Sequence, residues 1–294
     1  MSTPPLLSVR DLTVQFGTFP AVQNVSFDLH AGETLAIVGE SGSGKSVTAL
    51  SIMRLVEIGT RGKITSGEIE LNAPNEIPTD LVQESEDRLR EIRGGVMSMI
   101  FQEPLTALNP VYSIESQITE AVRAHRPVSK ESARELALEI MQKVRIPDPE
   151  KRLKQYPHEM SGGMRQRIMI AQALVLNPQV LICDEPTTAL DVTIQAQILR
   201  LIKDLQEETG AAVIMITHDM GVVAEVADRV VVMKDSKVIE QGPVEQIFDD
   251  PQEAYTKALL AAVPRLGSMN DTDEPAKFPP VSYTHLTLPT TSRV

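Results

Sequence analysis

The stretch Gly39-Glu-Ser-Gly-Ser-Gly-Lys-Ser46 constrains this chain more than any other. It fits the pattern Gly-x4-Gly-Lys-[Ser/Thr], in which glycines let successive backbone N–H groups curl around phosphates and the lysine reaches the terminal ones. The pattern has meaning only between a strand and a helix. Thr34-Leu-Ala-Ile-Val38 reads as a buried strand feeding the loop, and 47–56 as the helix that receives it. A second string, Ser161-Gly-Gly-Met-Arg-Gln-Arg167, begins a helix shortly before the apolar run Val180-Leu-Ile-Cys183, which ends in Asp184-Glu185. Together the two strings imply a nucleoside-triphosphate site with acidic residues at a strand end.

The rest of the chain supplies a sheet for these pieces. Leu12–Phe16 and Ala21–Phe27 alternate apolar and polar residues around Gly17-Thr-Phe-Pro20, the signature of antiparallel strands joined by a turn. Residues 61–95 mix Gly, Pro and charge around one clear strand, Gly67–Leu71, and read as including a surface insertion. From about residue 103 to 165 the pattern is helical, with Ala133, Leu136, Ala137, Ile140, Met141 and Val144 at helical spacing behind a Ser129 N-cap. Val180–Cys183, Ala211–Thr217 and Arg229–Met233 then alternate with helices over Ile194–Glu207 and Met220–Val226. Continuously apolar strands separated by helices imply a parallel sheet covered on both faces. The expected organisation is one α/β nucleotide-binding domain over 1–265: a parallel core, an antiparallel β subdomain and an inserted helical subdomain. A poorly ordered tail is expected over 266–294.

Composition narrows the function classes. No run approaches the eighteen apolar residues of a membrane helix, and Met1-Ser-Thr-Pro-Pro5 lacks a signal peptide's basic and apolar regions, so the expectation is a chain neither spanning nor secreted. The net charge of −12 argues against broad nucleic-acid binding. The single cysteine, Cys183, excludes an internal disulfide and reads as a small buried hydrophobe.

At this point the chain resembles the ATP-binding cassette proteins. From about Leu7 to Pro264 the wording is that of the ATPase subunits of dipeptide, oligopeptide and glutathione importers, notably Tyr156-Pro-His-Glu-Met-Ser-Gly-Gly-Met-Arg-Gln-Arg-Ile168 and Asp184-Glu-Pro-Thr-Thr-Ala-Leu-Asp191. Met164 stands where generic cassettes usually carry Gln. The fit is best with the N-terminal half of glutathione-importer ATPases that fuse two cassettes. Some relatives carry a C-terminal cysteine cluster for an iron–sulfur centre, and nothing after Cys183 supplies one here.

Cofactors ATP and Mg²⁺ follow from motif and resemblance together. Lys45 should bind the β- and γ-phosphates, within a cradle running from Gly39 through Glu40, Ser41, Gly42, Ser43, Gly44 and Ser46 to Val47. Ser46 and Asp184 should hold Mg²⁺. The resemblance implies that Gln102 approaches the metal and water, that Glu185 polarises the attacking water, and that His218 touches the γ-phosphate. It also implies that Phe16 stacks on adenine, with a core phenylalanine as the competing reading. His30, His125, His158 and His285 match no such position. Ser161, Gly162, Gly163 and Asp191 would close over a nucleotide held by a second cassette.

The implied partners are integral membrane permease subunits, a periplasmic or extracellular solute-binding protein, and a second cassette, fused downstream or separate. The implied location is the cytoplasmic face of the bacterial inner membrane. A dipeptide, oligopeptide or nickel-type importer is the alternative. A chromosome-maintenance ATPase would need a coiled-coil or zinc insertion, and a ribosome-associated cassette a charged linker and a second cassette. The last stretch, Ser282–Thr291, resembles translated sequencing-adaptor readthrough, with an ordinary disordered tail the alternative reading. If readthrough, the natural chain continued past Val281.

Overall fold

A computed structural model describes residues 4–74, 77–102, 107–188 and 190–262. The expected tail over 266–294, and the first residues of the expected helical insertion at 103–106, lie outside the described residues.

The chain opens with the expected antiparallel pair, β1 (Leu7–Phe16) and β2 (Phe19–Leu29), turned at Gly17 with φ +63°. β4 (Gly62–Leu71) pairs antiparallel with β1, and β5 (Thr79–Asp80) with β4. The second sheet has the order β10-β9-β3-β8-β7-β6. Its strands are β3 (Thr34–Val38), β6 (Met97–Ile100), β7 (Val180–Asp184), β8 (Ala212–Ile216), β9 (Arg229–Lys234) and β10 (Lys237–Pro243). All neighbours are parallel except β10 against β9, an edge hairpin that adds one antiparallel pair to the expected parallel core.

Both faces of this sheet are covered, and the alternation of side chains shows it. Leu35 and Ile37 of β3 and Ile214 and Ile216 of β8 join the core shared with the antiparallel sheet. Val213 and Met215 of β8, with Leu181 and Cys183 of β7, face the opposite way, into the core of the helical subdomain. That subdomain, inserted between β6 and β7, contains α3 (Ile114–His125), α4 (Lys130–Lys143), α5 (Pro149–Leu153) and α6 (Gly162–Leu174). Ser129 caps α4 by accepting the Ser132 N–H, and Ala133, Ala137, Ile140 and Met141 are buried along one stripe. Cys183 is fully buried, and burial pushes its thiol far above the usual range.

Two departures from expectation stand out. Within the stretch read as a surface insertion, α2 (Glu86–Gly95) buries Leu89 and Ile92, and Arg93 donates to the carbonyls of Met53 and Arg54. This segment belongs to the packed core. After the expected helix α8 (Met220–Val226) and beyond β10, two further helices, α9 (Val244–Asp249) and α10 (Ala254–Ala261), pack Ile247, Phe248, Tyr255 and Leu259 around Ala36 and Val38 of β3.

Candidate functional site

The phosphate loop joins β3 to α1 (Lys45–Ile52), and its shape is forced by neighbours that leave no room for side chains. Gly39 has φ +149°, and a Cβ there would lie 2.1 Å from the Met233 carbonyl oxygen at the end of β9. Gly44 has φ +101°, and its Cβ would lie 2.5 Å from the Ala21 carbonyl. Only glycine fits either position. The Lys45 ammonium turns back on the loop and donates to the carbonyls of Gly39 and Glu40, both at 2.8 Å. Burial pulls its pKa down, against the pull of the carboxylates of Glu185, Asp184 and Glu40. The buried Ser43 hydroxyl has no hydrogen-bond partner among the described residues. Unpaired buried hydroxyls are costly, and a phosphate oxygen seated in the loop would satisfy this one.

Opposite the loop stand the carboxyl ends of β7, β6 and β8, where open α/β sheets hold their ligands. Ser46 Oγ donates to Asp184 Oδ1 at 2.9 Å, so the side chain that closes the motif is joined to the end of β7. Asp184 is 5% exposed. Burial raises its pKa, and nearby Glu185 adds to the rise while the Ser46 hydrogen bond opposes it.

Glu185 takes a different direction. Its backbone φ is +45°, a region costing a non-glycine residue of order 1–3 kcal/mol, and its N–H is pinned to the Ile216 carbonyl of β8 at 3.0 Å. Its carboxylate accepts from Thr188 Oγ1 at 2.8 Å and from Gln102 Nε2 at 3.0 Å, while His218 Nδ1 lies 3.4 Å from its other oxygen. Burial pushes this carboxyl up, but the Thr188 and His218 contacts outweigh it and hold it below its ordinary value. The carboxylate is thus ionised and ringed by donors. Adjacent acids therefore have separate partners: Asp184 faces the loop hydroxyl, Glu185 the polar groups at the strand ends. Thr188 was not among the residues singled out from the sequence, although it lies inside a quoted motif.

Phe16 lies outside this cluster. At the end of β1 it is half-buried against Gly62 and packs with the core shared by both sheets. Its neighbour across the turn, Phe19, is 59% exposed. Ser161 caps α6 by accepting the Met164 N–H, and Asp191 caps α7 (Val192–Thr209) by accepting the Ile194 N–H. A Cβ on Gly163 would lie 3.2 Å from Ile194 Cγ2, so the two helix starts adjoin. Among the described residues, no hydrogen bond joins 161–163 to 39–46. Ser161, Gly162 and Asp191 are exposed.

No group of three or more His, Cys, Asp or Glu among the described residues could hold a metal ion. Ser46, Asp184 and Gln102 offer too few oxygens for a resident cation but suit Mg²⁺ that arrives on a nucleotide and takes its remaining ligands from phosphate and water. Among the described residues, no helix is long and apolar enough to cross a membrane.

The motif, the strand order and the carboxylates at the strand ends define a P-loop ATP-binding cassette. Residues 22–188 match the ABC transporter family, and the chain belongs to it. Residues 239–286 match the C-terminal region of oligopeptide/dipeptide transporters. The glutathione import ATP-binding protein GsiA of Shigella dysenteriae is 54% identical over 284 residues, covering 95% of this chain and 45% of that protein. The chain thus spans less than half the length of this curated relative. A post-hydrolysis state of the cassette MJ0796, bound to ADP and Pi, superposes with a TM-score of 0.70 at 29% identity, covering 81% of this chain and 98% of that one. CbiO1 of Clostridium perfringens, part of the transporter complex cbiONQ, gives 0.70 at 27% identity over 84% and 92%.

Proposed function

We propose that the chain is the ATP-hydrolysing cassette of an importer for glutathione or small peptides, working at the cytoplasmic face of a bacterial inner membrane. The observation that carries this reading is the junction of loop and strand ends, with Ser46 bonded to Asp184 while Glu185 is held separately by Thr188, Gln102 and His218. On nucleotide binding, Lys45 exchanges the carbonyls of Gly39 and Glu40 for β- and γ-phosphate oxygens, and Ser43 gains a partner. Ser46 and Asp184, with Gln102 nearby, would hold Mg²⁺, which would supply charge neutralisation to the transferred phosphoryl group. Glu185, kept ionised, accepts a proton from the water that attacks the γ-phosphorus as the bond to ADP breaks, and His218 contacts the γ-phosphate. Phe16, half-buried at the end of β1, stacks on adenine.

A second cassette completes the site. Ser161, Gly162, Gly163 and Asp191 stand at adjoining helix starts with no hydrogen bond to their own loop among the described residues, and they offer a helix N-terminus to a nucleotide held by a neighbour. The 45% coverage of the relative leaves room for such a cassette within one longer polypeptide. Membrane permease subunits seat in the groove of about 310 Å³ between sheet and helical subdomain, whose lining includes Met53, Leu55, Phe101, Ala121 and Met169. Phe101 precedes Gln102, so a docked subunit acts directly on the water-side residues. A solute-binding protein selects the cargo.

The test is uptake by the reconstituted transporter. ATP-dependent accumulation of labelled glutathione that unlabelled dipeptide does not suppress supports the glutathione assignment. Dipeptide uptake without glutathione uptake moves it to the peptide importers, and a chain that hydrolyses ATP without any transport partner removes the importer reading.

A further inference from the structure

The C-terminal segment reaches back to the phosphate loop through one side chain. Tyr255, on α10, places its hydroxyl oxygen 3.0 Å from the backbone N–H of Glu40, a residue 215 positions away in the chain. The ring is held from two sides. Lys234 Nζ lies 4.8 Å from its centroid, and the residues of α9 and α10 pack against Ala36 and Val38, the strand that delivers the loop. The start of α10 is fixed in turn, because Glu240 of β10 accepts the N–H groups of Gln252 and Glu253 at 2.7 and 3.1 Å. Burial raises the Tyr255 pKa, so the phenol stays protonated at neutral pH.

Glu40 is one of the two residues whose carbonyls hold the Lys45 ammonium. An anchor on its N–H therefore fixes the peptide units that decide where Lys45 points before phosphate arrives. We propose that Tyr255 is a positioning residue for the phosphate loop, by which the β10–α10 segment holds the loop in its phosphate-binding form. The proposal rests on the loop being the ATP cradle. Without the anchor, the loop spends part of its time in forms that cannot bind, and apparent affinity falls by the fraction lost.

The variant is Tyr255→Phe, which keeps the ring, its packing and its contact with Lys234. Phe248→Leu, in the same apolar cluster, is the control for general loosening. MgATP binding to the full chain, measured by calorimetry, should weaken about two- to tenfold in Tyr255→Phe, the equivalent of one neutral hydrogen bond, and stay at the wild-type value in Phe248→Leu. Linkage supplies a readout that simple destabilisation does not move: saturating MgATP should slow amide exchange across α10 in the wild type and leave it unchanged in Tyr255→Phe. Equal affinities for Tyr255→Phe and wild type, or equal losses in both variants, would overturn the positioning role. Failure of the wild-type chain to bind MgATP would overturn the reading of the loop itself, and the proposal with it.

Discussion

Gly39→Ala offers the sharpest quantitative test of how the loop is built. The Cβ it introduces would sit 2.1 Å from the Met233 carbonyl oxygen, and real Cβ atoms essentially never approach within 3.0 Å, so the strand end and the loop must separate by roughly 0.9 Å, from 2.1 to 3.0. Neither partner yields cheaply, because the obstacle is the backbone of β9. Overpacking costs about 1–3 kcal/mol, and placing alanine at φ +149° adds about 1–3 kcal/mol. At roughly 2–4 °C per kcal/mol for a domain of this size, the melting temperature should fall by about 4–24 °C. The larger effect falls on function, since a displacement near 1 Å in a positioning element can cost on the order of a hundredfold. Gly210→Ala is the matched control: φ is +71° at the end of α7, nothing lies within 4 Å, and only the left-handed backbone is penalised, by about 1–2 kcal/mol. Thermal melts and calorimetric MgATP titrations of both variants decide the matter. If Gly39→Ala bound MgATP as well as Gly210→Ala, the loop would not be held by its contact with β9.

Other perturbations separate the remaining parts. Asp184→Asn should stabilise the nucleotide-free chain near neutral pH, because a carboxyl whose folded pKa is raised loses stability as pH climbs above its ordinary 3.8; the gain in melting temperature should vanish below that pH, while the Mg²⁺-dependent part of ATP binding weakens. Glu185→Gln should lose the opposite contribution, stability present above the ordinary glutamate value of 4.5 and lost on acidification, which pH-dependent melts of the two variants would show as slopes of opposite sign. Ser161→Arg should leave ATP binding to the isolated chain near the wild-type value and abolish ATP-driven association of cassettes; parallel loss of both, by equilibrium binding and size-exclusion chromatography, would mean misfolding or a role in its own site.

What the sequence disclosed and what it hid divide along physical lines. The phosphate loop, Asp184 with Glu185, and the Ser161 cap were legible because each needs particular residue types at fixed spacing, and because short apolar strands and polar caps announce themselves locally. The separate partners of Asp184 and Glu185 were foreseeable from the alternation of side chains at a strand end. The helix α2 was not, since only Leu89 and Ile92 carry its buried face and charges dominate the rest. The Tyr255 contact joins residues 215 positions apart through one hydroxyl, which no local pattern encodes. For Phe16, an aromatic at a strand end suits a core and a base-stacking site equally, and its half-buried ring packs against the core beside Gly62.

The central claim, that loop and strand ends form one ATP-hydrolysing site with binding and turnover on different side chains, is tested most directly by comparing Lys45→Ala and Glu185→Gln in the assembled transporter. Calorimetry with MgATP and release of labelled phosphate from γ-labelled ATP would be measured on the same preparations. Lys45→Ala should lose most of the affinity through removal of a charge-assisted contact to phosphate. Glu185→Gln should retain MgATP at near wild-type affinity and release almost no phosphate. Wild-type phosphate release by Glu185→Gln, or undiminished MgATP binding by Lys45→Ala, would contradict the division of labour read from this site.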